Sequence, residues 1–310
     1  MKKNILVIIM TLVCLLLLAC NSQTENTSNP LSDTQARETD VNSTEEIDTV
    51  SSASPEEDDA NQNNSEEATS DDQLIESAEE ISDYKTIRTY FQAIAARDIY
   101  AYTGTFAPRF LLSLTDQEID SINGLSAYAN GTLFNGTYDI YRAKATDEDV
   151  QVLARFNQEE MTVLSFKVEN KQISQLNIEP ATSSDLNDFS DFTLESTDLL
   201  PDAYINYLRS VEEDNLHMFS KSFTENAEVI DVSRSFVGNE AITKWADREV
   251  MFLLYRVGRL TYSPDGVEVI NHIRLSENSS GFYGSYKMTM VDNLINFADL
   301  QYSSLEDFNY

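Results

Sequence analysis

Basic residues, histidine and cysteine are all scarce in this chain of 310 residues. Lys and Arg number 21 against 53 Asp and Glu, a formal net charge of −32 at pH 7. Affinity for nucleic acid comes from clustered Lys and Arg that release counterions from phosphates, so a nucleic-acid partner is excluded. Attraction to anionic lipid headgroups is disfavoured for the same reason. The two histidines, His217 and His272, are far apart in sequence. Without convergent carboxylates they make no metal site. Both cysteines, Cys14 and Cys20, stand near the N-terminus. That removes Cys-based zinc sites, iron–sulfur clusters and a disulfide framework from the rest of the chain. The Gly-x-Ser-x-Gly elbow, the Gly-x-Gly-x-x-Gly fingerprint and the P-loop are missing. No cofactor and no metal are expected.

What is present begins with an address. Lys2 and Lys3 precede an apolar run from Ile5 to Leu18. A bilayer span takes ~20 residues, so this run suits the core of a signal peptide. It ends in Leu17-Leu18-Ala19-Cys20, which resembles the lipobox of bacterial lipoproteins. The resemblance implies a signal peptide over residues 1–19, loss of Cys14 with it, and acylation, with palmitate among the chains, at Cys20. Several acyl chains anchor a protein stably where one is marginal. The expected location is extracytoplasmic, lipid-anchored to the bacterial cell membrane. The membrane is then a partner through Cys20.

Residues 21–80 hold 18 acidic residues, one basic residue (Arg37) and no aromatic residue. Such a segment cannot bury enough apolar surface to offset chain entropy, so residues 20–80 read as a disordered acidic linker. As a flexible coil it would span about 45 Å.

Beyond it the chain repeats itself. Ile87, Tyr90, Phe91 and Ile94 stand at the i, i+3, i+4, i+7 spacing of one helix face, and so do Tyr204, Tyr207, Leu208 and Val211. Adding 117 converts the first set into the second, and also takes Ile99 to Leu216, Tyr102 to Phe219 and Phe106 to Phe223. A polar break follows each stripe, Arg97-Asp98 and Asp214-Asn215. Four strands then follow in each half: 137–145, 150–156, 162–168 and 173–178, then 252–262, 267–275, 281–291 and 295–302. Helices followed by an antiparallel meander predict an α+β class. The boundaries expected are 81–180 for a first domain, 181–197 for a linker and 198–310 for a second domain. Its first helix should start near Asp198, with Pro201 in the first turn.

The second half resembles the nuclear-transport-factor-2-like superfamily, which includes SnoaL-like cyclases and ketosteroid isomerases. The resemblance covers about residues 198–303. It rests on Tyr204–Val211, Asp214-Asn215-Leu216, Phe219, Phe223, Ala227–Asp231 and the third-helix start Gly238-Asn239-Glu240-Ala241-Ile242-Thr243-Lys244-Trp245. The first half matches through the repeat, with Gly124–Tyr128 as a faint echo of that helix start at an offset of 114. The resemblance implies two tandem cone-shaped domains, each with N-terminal helices packed in a curved antiparallel sheet around an apolar pocket. Superfamily members often pair through the outer sheet face, which implies a dimer or an intrachain pseudo-dimer.

Ketosteroid isomerases of this superfamily use a Tyr on the first helix and an Asp about two dozen residues later. Tyr207 and Asp231 stand at matching motif positions. A phenol can polarise a carbonyl and a carboxylate can shuttle its proton. Against this, Tyr207 lies on the core stripe, the later strand reads Ser285-Tyr286-Lys287-Met288 without a carboxylate, and Leu114 replaces Asp231 in the first half. The expectation is therefore a non-enzymatic protein that binds a small apolar or amphipathic ligand, or a protein partner, at the cell surface. The pocket residues would be Tyr207, Phe219, Phe223, Asp231, Trp245 and His272. The alternative is a SnoaL-like isomerase or cyclase using Tyr207 and Asp231.

Overall fold

The computed structural model describes residues 71–310, with side chains from residue 83. The signal peptide, Cys20 and the acidic stretch up to residue 70 lie outside the described residues.

Helix α1 (Asp71–Ala96) begins ahead of the boundary expected at residue 81. Its stripe of Ile87, Tyr90, Phe91 and Ile94 is buried, as the helical spacing requires. The polar breaks act as stop and restart. Arg97 takes a φ of 55° and ends α1; Asp98 then caps α2 (Ile99–Gly104) by accepting from the backbone N–H of Tyr100 and Ala101. Asp214, at φ 50°, follows α5 (Asp202–Glu212), and Asn215 caps α6 (Leu216–Ser220) by accepting from the Met218 N–H. A left-handed residue after one helix and a short polar side chain before the next satisfy the orphan groups at both ends. Helix α5 starts at Asp202 rather than near Asp198, because Pro201 is extended at ψ 141° and sits at the N-cap.

The strands are β1 (Phe106–Ser113), β2 (Glu118–Ile119), β3 (Tyr138–Ala145), β4 (Val150–Phe156), β5 (Met161–Glu169) and β6 (Gln172–Pro180). In the second half they are β7 (Phe223–Asp231), β8 (Arg234–Val237), β9 (Leu254–Ser263), β10 (Gly266–Arg274), β11 (Phe282–Val291) and β12 (Leu294–Tyr302). They form one unclosed, curved sheet in the order β2-β1-β6-β5-β4-β3-β9-β10-β11-β12-β7-β8. The class is α+β. Most pairs are antiparallel, but β1–β6 and β7–β12 are parallel.

The repeat extends to register. Phe106 lies opposite Ile173, and Phe223 opposite Ile295; Leu112 pairs with Ile119, and Val229 with Phe236. Both parallel pairs carry an irregularity just after the paired Phe. The third helices, α3 (Ile122–Gly131) and α7 (Asn239–Glu249), correct one part of the sequence reading. The offset of 117, not 114, relates them: Leu125 matches Ile242, Tyr128 matches Trp245 and Ala129 matches Ala246. Leu125, Ile242 and both alanines are fully buried. The cap differs in chemistry, which hid the match. Ser121 caps α3 with its hydroxyl, accepting from the Gly124 N–H, whereas Gly238 caps α7 at a φ of 82° that favours glycine.

The halves meet where β3 and β9 pair through Asp139–Thr261 and Ile140–Leu260. Each strand bulges at an equivalent residue, Tyr141 in β3 and Gly258 in β9. A bulged carbonyl leaves the ladder and needs another donor. Arg142 supplies it to both, donating to Tyr141 O at 2.6 Å and Gly258 O at 3.1 Å. The C-terminal helix α8 (Leu305–Phe308) closes over this junction. A Cβ on Gly258 would lie 2.2 Å from the Phe308 ring, so glycine is what admits that ring. Tyr310 packs on Tyr141 and Arg142 and donates its hydroxyl to Leu186 O. Residues 181–197 carry α4 (Ser183–Asp188), and Phe189 and Leu194 are buried.

Candidate functional site

In the second half the space inside the sheet is filled by aromatic rings. Tyr204 and Tyr207 stack at 5.4 Å, and Tyr207 contacts Phe219 and Phe223. What remains among Tyr207, Phe223, Trp245 and Tyr286 is a gap of about 10 Å³. That is at most the room of one water, and the lining offers it few polar partners.

The larger opening is a cleft of about 320 Å³ at the end of the sheet. Trp245 comes from α7, Asp231 from the end of β7, Arg234 from β8, Tyr255 from β9, and Tyr286 and Phe282 from β11. Its floor is polar. The Tyr255 hydroxyl lies 2.9 Å from that of Tyr207 and 3.0 Å from that of Tyr286. Burial pushes all three phenols well above the usual tyrosine range, so they are neutral hydrogen-bonding groups at any ordinary pH. Its rim is apolar. Phe252, Leu275, Phe282 and Tyr302 line the cleft and are 53%, 52%, 42% and 71% exposed. Large apolar side chains gathered around one opening are a feature of ligand-binding grooves and interaction sites.

One wall is ionic. Asp231 accepts from Trp245 Nε1 at 3.2 Å and from the Arg234 guanidinium. Arg234 also donates to both oxygens of Glu249, at 2.8 and 2.7 Å. The Glu249 contact, with Asp231 beside it, holds the guanidinium firmly charged.

The sequence-predicted residues are thus divided. Asp231 and Trp245 line the cleft. Tyr207 and Phe223 line only the narrow gap behind it, and Phe219 is wholly buried in the core. Tyr207 and Asp231 therefore do not line one cavity; Trp245, Tyr286 and Leu300 line both spaces and stand between them. His272 sits outside the cleft: its ring stacks on Tyr283 at 4.8 Å and bonds Ser280 O at 2.8 Å, while its neighbour Ile273 lines the cleft. His217 is exposed on α6. Arg234, Tyr255 and Tyr286 belong to no motif that marks them as pocket residues in the sequence. Tyr255 carried one signal, since it stands 117 after Tyr138. Among the described residues no cluster of three or more His, Cys, Asp or Glu is placed to hold a metal ion.

No protein-family model matches the chain, and no curated protein matches it. Solved structures do. A candidate polyketide cyclase from Sinorhizobium meliloti is 17% identical over 31% of this chain and 94% of its own, with a TM-score of 0.29. A SnoaL-like protein of unknown function from Burkholderia thailandensis is 14% identical over 33% of this chain and 95% of its own, TM-score 0.30. An NTF2-like protein of unknown function from Cytophaga hutchinsonii is 13% identical over 37% of this chain and 94% of its own, TM-score 0.30. The likeness is one of fold alone.

Proposed function

We propose that the protein is an extracytoplasmic lipoprotein that binds a small amphipathic ligand in the C-terminal cleft, without chemistry. The observation that carries this reading is the apolar rim of Phe252, Leu275, Phe282 and Tyr302 above a floor of neutral phenols. An alkyl or ring body would lie on the rim while its polar end meets Tyr255, Tyr286 or the Arg234 pair. Trp245 is the only tryptophan and lines the cleft, so its emission reports occupancy. Titration with decanol below its solubility limit is expected to shift that emission saturably. Phe282→Ala combined with Tyr302→Ala should weaken binding about tenfold, from lost apolar burial. Decanol that leaves the emission unchanged would sink the reading.

A second reading is a SnoaL-like isomerase or cyclase. The Tyr207–Tyr255–Tyr286 phenol chain favours it, because such a chain can present a hydrogen bond to a carbonyl. Asp231 would have to leave Arg234 and Trp245 to move a proton. Asp231→Asn separates the readings: binding stays within about twofold if the site only binds, and turnover is abolished with the fold intact if it reacts.

The anchor rests on the Leu17-Leu18-Ala19-Cys20 sequence. Cells fed a clickable fatty acid should label the wild type, and Cys20→Ala should lose both label and membrane fractionation. A Cys20→Ala protein that keeps its label would rule the anchor out.

A further inference from the structure

The first half carries a cleft of its own, at the place the repeat dictates. It measures about 320 Å³ and is lined by Tyr128, Tyr138, Phe156, Ile178, Glu159 and Glu160, among others. In the repeat Tyr128 stands where Trp245 does, Tyr138 where Tyr255 does and Phe156 where Ile273 does. The position is shared but the chemistry is not. Leu114 replaces Asp231 and Gln117 replaces Arg234, so the ionic wall is gone. No Lys, Arg or His lines this cleft.

Its walls are aromatic and fixed. Tyr138 and Phe156 pack at 5.0 Å, and Tyr138 is 6% exposed. The carboxylates at its mouth come from a tight hairpin. Asn157 and Gln158 take φ values of 51° and 61°, the paired left-handed conformation of a two-residue turn. Asn157 Oδ1 accepts from the Thr137 N–H at 3.1 Å, and the Asn157 N–H donates to Thr137 O at 3.0 Å. The hairpin is thereby pinned, with Glu159 and Glu160 beside the opening. The matching connection in the second half is five residues longer and sets Leu275 and Phe282 there instead.

Aromatic faces attract a cation through their ring quadrupole, and carboxylates add a Coulomb term that deepens where water is partly excluded. An anion would meet two carboxylates and no cationic side chain. We propose that this cleft binds an organic cation with an apolar body, an alkyl- or arylammonium, independently of the C-terminal site. A chain with a net charge of −32 gathers such cations from solution, and the cleft is where one finds aromatic contact.

The test needs a local readout, because a protein this acidic holds cations loosely over its whole surface. The intact protein is labelled with 3-fluorotyrosine, and the Tyr128 fluorine resonance is identified by its loss in Tyr128→Phe. Benzyltrimethylammonium should shift that resonance saturably, and benzyl alcohol, of similar body but uncharged, should bind at least about tenfold more weakly. The double variant Glu159→Gln, Glu160→Gln alters two exposed side chains and should fold normally; it should weaken the ammonium about tenfold. A Tyr128 resonance that does not move would overturn the proposal. So would equal affinity for the ammonium and the alcohol, or undiminished affinity in the double variant. The C-terminal site is read separately through Trp245, so either site can fail without the other.

Discussion

Trp245→Ala is expected to destabilise the fold by about 3–5 kcal/mol, the range for truncating a large aromatic side chain in a core. The indole is 5% exposed, stacks on Phe236 at 5.5 Å and bonds Asp231. With Tyr286 and Leu300 it also separates the cleft from the inner gap, so its removal should join the two spaces instead of letting one collapse. Such a loss is a large share of the ~5–15 kcal/mol that holds a domain together. The variant has no tryptophan, so unfolding in urea must be followed by circular dichroism; the midpoint should fall with the slope unchanged. Trp245→Phe keeps a ring on Phe236 but not the N–H, and should cost about 1–2 kcal/mol. A loss under about 1 kcal/mol in Trp245→Ala would mean that the indole is not packed as described.

The second large effect is expected at Arg142. Arg142→Met keeps the length of the stem and removes the donors to Tyr141 O and Gly258 O. Each buried carbonyl left without a donor costs about 1–3 kcal/mol. Part of that is offset, because the guanidinium is itself desolvated: burial, with Arg256 nearby, pushes its pKa down. The net expectation is a loss of about 2–3 kcal/mol, with Arg142→Lys between wild type and Arg142→Met. Urea midpoints of the three proteins decide it. If Arg142→Met unfolds within about 0.5 kcal/mol of wild type, the bulge carbonyls have other donors.

The meander strands and the turns between them were legible because their chemistry is local. Asn157-Gln158, Asn170-Lys171 and Asp292-Asn293 all adopt positive φ at polar pairs, and the flanking strands alternate around them. Strands β1 and β7 were harder to read. Each pairs in parallel with a distant strand and is irregular after its first residue, so its burial does not alternate cleanly. The site divides in the same way. Trp245 and Asp231 were legible from the third-helix start and the motif order. The separation of Tyr207 from Asp231 was not, because it depends on which rings fill the interior. The side of β10 that His272 occupies was hidden too: Val269, Ile270 and Asn271 are all buried, which erases the period-two signal just before it.

Arg142 has a counterpart, Arg259, at the same place in the repeat. The two side chains make different contacts. Arg142 lies at the junction and serves both bulges, while Arg259 turns to Glu268 at 3.3 Å and lies 3.9 Å from Asp139. Were the two halves separate, identical chains, every substitution at the junction would occur twice, once on each side. A guanidinium moved into the seam would then meet its own copy, and like charge would oppose like. Within one polypeptide each of these positions can change alone. The seam can hold a single buried cation, and the two clefts can drift to unlike chemistry without either constraining the other.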